Sequence, residues 1–200
     1  MTSPFTYNSD LIGGGLMVRE SRLVASLMLD AVDNTAWHHA IMVENCLQKN
    51  RPATAKRMAQ AIRKRLERLD PDFWAVLREG DDELAAQVSF CAAMARNLLL
   101  VEFLETVVAD AVTTQAESLP HYLWDEFLAE RAYRDPAIAG WQPSSVQKMG
   151  QVVSRMLVDI GVLNSARSRK LMPLILRPEL VALLEKHRYE RLHRCLLALR

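Results

Sequence analysis

Glycine is scarce in this chain, seven residues in 200. A β-rich architecture draws on more of it for tight turns and bulges. Cysteine is scarcer: Cys46, Cys91 and Cys195 are far apart and odd in number. No CxxC and no Cys/His pair has zinc-site spacing, so no metal centre is expected. Three reduced thiols fit a cytoplasmic protein. Long apolar runs are missing too. The leucine-rich LLLV at 98–101 stops at Glu102, far short of the roughly 20 residues a membrane span needs. The opening MTSPFTYNSD has neither the charged start nor the apolar run of a signal peptide.

Catalytic signatures are also absent. There is no GxxxxGK(S/T) phosphate loop, no GxGxxG, no HExxH and no GxSxG. The five histidines, His38, His39, His121, His187 and His193, do not fall at ligand spacing on one helix face. The sequence therefore nominates no catalytic residue, metal ligand or cofactor, and the expectation is a protein that is not an enzyme.

The residues that are abundant favour helix: Ala, Leu, Arg, Met and Glu. The expected fold class is mainly α, a helical bundle with helix-turn-helix elements and a small C-terminal winged-helix-like β-hairpin. Apolar spacing and breakers predict helices over 17–32, 35–47 and 55–69, the last capped by Thr54. A short helical turn at 72–80 stops at Gly80. Residues 81–115 contain no Gly or Pro and read as one long or two abutting helices at the centre of the fold. Further helices are predicted over 121–134 and 144–160, and from Pro178 to the end with a break near Tyr189. Two regions follow, 1–118 with the basic third helix and 119–200 with the winged-helix-like end.

Charge is unevenly placed. Residues 51–69 hold seven bases and one acid, and residues 136–200 eleven bases and four acids. Residues 70–135 hold four bases and fourteen acids. Such polarity bears on partners. In the third helix, Ala55, Met58, Ile62, Leu66 and Leu69 form a narrow apolar stripe. Arg51 precedes it, and Lys56, Arg57, Gln60, Arg63, Lys64 and Arg68 take the outward side, with Glu67 the one acid. Arg65 sits near the stripe and is expected to snorkel. A solvated helix usually alternates signs to gain i,i+4 pairs; this one does not. Two readings stay open: the face meets an anionic polymer, or it docks on the protein's own acidic middle.

The second basic region has its own pattern. Val146, Met149, Val152, Val153, Met156, Leu157 and Ile160 form an apolar stripe that Gly161 ends. GVLNSARSRKLMPLIL then reads as strand, polar tip and return strand, with Pro173 confining the return to an edge. A helix followed by such a wing can enter the major groove of duplex DNA. Lys148 and Arg155 share its outer face, with Gln147 and Gln151 nearby. Gln can read adenine, and Arg or Lys guanine. Arg167, Arg169 and Lys170 cluster at the expected wing tip, where phosphate contacts belong. The glycines at 13–15 either offer amides to a phosphate or simply let the loop turn.

The stretch YNSDLIGGGLMVRESRLVASLML, the helical pattern after it and the basic carboxyl half resemble the BrxA family of BREX (bacteriophage exclusion) defence systems, over nearly the whole chain. The resemblance implies a non-enzymatic helical protein that binds DNA through helix-turn-helix elements. That family has also been likened to the helical RNA-binding antitermination protein NusB. No functional residue motif is carried over. Double-stranded DNA is the expected partner; RNA and other BREX proteins stand as alternatives. A protein–protein adaptor would use the acidic middle and exposed apolar residues such as Trp124 or Trp141.

Overall fold

The computed structural model describes residues 7–200. The part of the signal-peptide expectation that rests on residues 1–6 lies outside them. A 3-10 turn at Asp10–Gly13 leads through the glycine loop to α1 (Val18–Leu29). Asp33 caps α2 (Asn34–His38) by accepting from the Ala36 amide, and α2 runs into a π-turn at His39–Val43. α3 (Pro52–Leu66) starts on proline, whose missing N–H costs nothing in a first turn. The cap position is therefore Arg51, not Thr54. α4 (Pro71–Glu79) begins the same way.

The chain's centre is α5 (Asp82–Arg96), capped by Asp81 and buried at every residue from Leu84 to Met94. It packs against α1, α3, α4, α6, α11 and α12. α6 (Leu98–Phe103), a π-turn at Leu104–Val108 and α7 (Ala109–Thr113) continue it after a bend of 108°. Asn97 makes that bend. It leaves the helical backbone, and its buried side chain accepts from the Leu100 amide at 3.0 Å and donates to Asn8 at 2.8 Å. The long breaker-free run is thus two abutting helical arms, whose apolar surface lines the core. Among the described residues no single helix is long and apolar enough to cross a membrane.

α8 (Tyr122–Arg134), the short α9 (Pro136–Ala139) and α10 (Pro143–Asp159) follow. The inward face of α8 is Trp124, Phe127 and Leu128, while Tyr122 is exposed. α11 (Pro178–Lys186) and α12 (Glu190–Leu197) close the chain, parted at Tyr189 as expected.

The expected C-terminal β-hairpin does not form. The described residues contain no strand, only isolated antiparallel bridges, Ser118 with Lys170 and Leu163 with Leu171. Two backbone bonds do cross between the arms, Asn164 N to Lys170 O at 3.1 Å and Met172 N to Val162 O at 2.9 Å, but other donors of this segment find other acceptors. Asn164 Oδ1 takes the Lys170 amide, and Ser165 Oγ takes the Ser168 amide. Pro173 has no amide to offer, and the Leu174 amide turns to the Leu199 carbonyl. Gln87, buried in α5, then replaces a partner strand: its Nε2 donates to Ile175 O at 2.8 Å and its Oε1 accepts from the Arg177 amide at 3.1 Å. The return arm is thus held by the two cross-arm bonds, by side chains and by the chain's end, and not by a strand ladder.

Candidate nucleic-acid interface

α3 buries most of the stripe its spacing predicts: Ala55, Ile62, Leu66 and Leu69 are inside, Ala59 joins them, and Met58 is half-buried. Arg51, Lys56, Arg57, Gln60 and Lys64 are exposed, and Arg68 is half-buried. None of these five cations makes an ion pair among the described residues. The ion pair α3 does make is local, Arg63 Nε to Glu67 Oε1 at 2.8 Å, and Arg63 also lies over the Trp37 ring at 4.8 Å.

Arg65 departs from the sequence expectation. It does not snorkel; it is 6% exposed. Its Nη1 donates to Gly15 O at 2.7 Å and its Nη2 to Gly14 O at 2.8 Å. Burial pulls its pKa down to about 10, so it stays charged at neutral pH. The glycine loop therefore turns its carbonyls to α3. Gly14, at φ 131°, adopts a backbone that other residues rarely do, and its amide goes to Leu11 O. The signal for Arg65 was its place beside the apolar stripe; its acceptors, some fifty residues away, could not be read locally.

The same loop joins the two basic regions. The 10–13 turn packs on both α3 and α10. Beside it a cleft of 300 Å³ is lined by Asp10, Gly13, Arg57, Gln60, Lys64 and Arg96, among others. Asp10, its one acid, is bound by Arg96 at 2.6 Å. Arg57 and Lys64 thus keep their charge free beside a neutralised carboxylate. Arg96 lay outside the sequence-predicted set because its segment is acidic.

On α10, Gln147, Lys148 and Gln151 are exposed and make no hydrogen bond or ion pair among the described residues. Arg155 pairs with Asp159 of its own helix at 3.0 Å. Arg167 and Lys170 are exposed. Arg169 is not: it is 5% exposed and turned inward. Its Nε donates to Leu119 O, and its Nη1 lies 2.5 Å from Ser154 Oγ and 3.0 Å from His121 Nδ1. Trp124 is also inside, 4% exposed, with its Nε1 donating to Val146 O at 3.1 Å. Gly150 makes room for it, since a Cβ there would lie 2.7 Å from the indole. Trp124 is therefore unavailable to a partner, while Trp141 is half-buried.

The acidic middle has partners, and α3 is not among them. Asp81 holds Arg177 at 2.6 Å, Asp72 holds Lys186 and His187 at 2.5 and 3.0 Å, and Glu105 holds Arg191 at 2.6 Å. These acids are compensated by the C-terminal segment. Arg188, Arg194 and Arg200 of that segment stay outside the ion pairs of the described residues. No cation of α3 reaches an acid of residues 70–135.

The sequence profile of the BrxA family matches residues 6–188. The chain belongs to the BrxA family. A relative from Paramagnetospirillum magneticum, BREX protein BrxA, is 36% identical over 190 residues, 95% of this chain and 96% of the relative. BREX protein BrxA of Escherichia coli O9:H4 is 37% identical over 177 residues, 88% of this chain and 83% of the relative. A crystal structure of an uncharacterized protein from Magnetospirillum magneticum superposes with a TM-score of 0.88 at 34% identity, over 96% of this chain and 98% of that one. This BrxA-family fold is thus shared almost end to end with a solved structure.

Proposed function

We propose that this BrxA-family chain is a non-enzymatic component of a BREX phage-defence system that binds double-stranded DNA, mainly through phosphates. The system follows from the relatives' names. The observation that carries DNA binding is the segment of α3 and its two ends, whose Arg51, Lys56, Arg57, Lys64 and Arg68 find no acid while Asp72, Asp81 and Glu105 of the acidic middle pair with the C-terminal segment. α10 supplies the second contact, with Gln147, Lys148 and Gln151 toward base edges and Arg167 and Lys170 toward phosphates. The glycine loop, clamped by Arg65, fixes the spacing between the two helices. Without a formed wing, we assign α10 a helix-turn-helix role with a polar loop beside it.

The test is titration of a labelled duplex with the full chain, wild type against Lys56→Glu/Arg57→Glu/Lys64→Glu/Arg68→Glu. Lost binding with an unchanged melting temperature supports the reading. Unchanged binding overturns it. Competition with structured RNA separates the two nucleic acids. The second reading is a protein partner, favoured by a 570 Å³ cleft lined by Leu128, Ala132, Ile138, Trp141 and Val146. It predicts that pull-down of other BREX proteins survives the same four substitutions.

A further inference from the structure

We propose that the cleft between α8 and α10 is an oxyanion pocket, built to take a phosphoryl group on Arg169. The cleft measures 340 Å³ and is lined by His121, Asp125, Gln147, Gln151, Ser154 and Arg169, with Trp124 and Gly150 as its floor. That volume suits a small polar ligand. Arg169 is more than nine-tenths buried, yet it makes no ion pair among the described residues. Buried guanidinium groups ordinarily have a carboxylate, because taking the charge from water is costly. Burial alone lowers its pKa, with no acid to offset it.

The geometry leaves one edge of that guanidinium for a ligand. Nε is used by Leu119 O, and Nη1 by Ser154 Oγ and His121 Nδ1. Nη2 has no hydrogen-bond partner among the described residues, and it is not among the fully enclosed orphan atoms. It is therefore the nitrogen the cleft can reach. With Nη1 donating, His121 Nδ1 accepts, which places the ring proton on Nε2. The exposed amides of Gln147 and Gln151 add two more donors. Asp125 stands exposed on the α8 wall and does not neutralise Arg169. The backbone also contributes: Arg169 sits at φ 52°, a conformation that is strained for a non-glycine residue. That conformation accompanies the inward side chain, which a solvated wing-tip arginine does not need.

A phosphodiester of bound nucleic acid and a free phosphorylated small molecule present the same oxyanion, so the test has an arm for each. The probe is inorganic phosphate, titrated against the full chain at constant ionic strength set with chloride. Melting temperature and tryptophan fluorescence are the readouts. Arg169→Ala also removes interior bonds, so Gln151→Glu is the main variant; it adds a negative charge to the wall without touching the core. Wild type should gain stability saturably with phosphate, and Gln151→Glu should bind it at least about tenfold more weakly. The four-site α3 variant should keep the full phosphate response, which separates this pocket from the α3 reading. If phosphate displaces a short duplex, the oxyanion is the nucleic-acid backbone; if duplex affinity is unchanged, it is a free phosphorylated ligand. Either result supports the pocket. No stabilisation beyond that of chloride, or an equal response in Gln151→Glu, overturns it.

Discussion

Helix α3 and the C-terminal segment that holds α11 and α12 are both basic, but their charges meet different neighbours. Arg177, Lys186 and Arg191 reach into the acidic middle and tie the end of the chain to α4, α5 and the π-turn after α6. Arg51, Lys56, Arg57, Lys64 and Arg68 face outward without an acid. Sequence counts alone put both regions in one class. What separates them is whether the fold brings a carboxylate within reach, so a basic segment implies a polyanion only after its internal partners are known.

The largest expected effect breaks this contrast on the α3 side. Reversing Lys56, Arg57, Lys64 and Arg68 should weaken duplex binding about a thousandfold at moderate salt, read by fluorescence anisotropy, with melting unchanged. Next is Arg65→Ala, which leaves the Gly14 and Gly15 carbonyls without their buried donor and should cost about 3 kcal/mol in denaturant unfolding. Arg65→Lys should recover little of it, since an ammonium cannot span both carbonyls as the fork does.

The opposite substitution set probes the other region. Arg177→Glu/Lys186→Glu/Arg191→Glu should leave duplex affinity within about threefold and lower the melting temperature by about 2–4 °C, because exposed pairs contribute little each. Acid should act on the same region. Lys186, and then His187, holds the Asp72 carboxyl below its usual range; Arg177 does so for Asp81 and Glu179. A depressed carboxylate pKa gives stability that is present above the unfolded value and lost as pH falls through the folded one. Stability should therefore drop below about pH 4, and Asp72→Asn/Asp81→Asn should flatten that drop in pH-resolved melting curves. The smallest effect is Arg155→Ala, which removes an exposed i,i+4 pair and should change unfolding free energy by less than about 0.5 kcal/mol.

The stripes of α3 and α10, the break at Tyr189 and the start at Pro178 were legible because each is a local signal: periodicity, a missing amide or a cap. The hairpin was misread because its outcome rests on distant groups, Gln87 and the Leu199 carbonyl, that take up the backbone of 174–177. Arg65 and Arg169 failed for the same reason. Their positive charge marked them as surface residues, while carbonyls some fifty residues away drew them inside. Arg51, Lys56, Arg57 and Lys64 kept their expected exposure because nothing distant reached them, while Arg68, whose carbonyl accepts from the Tyr189 hydroxyl, is half-buried.

The central claim, that α3 is the part of the basic surface left for phosphates, is tested most directly by the salt dependence of duplex binding. With about six phosphate contacts, log K should fall with log salt at a slope near −5. The slope should shrink by about 0.9 for each of Lys56, Arg57 and Lys64 replaced by alanine, and should not change when Arg177, Lys186 and Arg191 are replaced. A slope near zero, or one that responds to the C-terminal arginines and lysine but not to α3, would contradict the account.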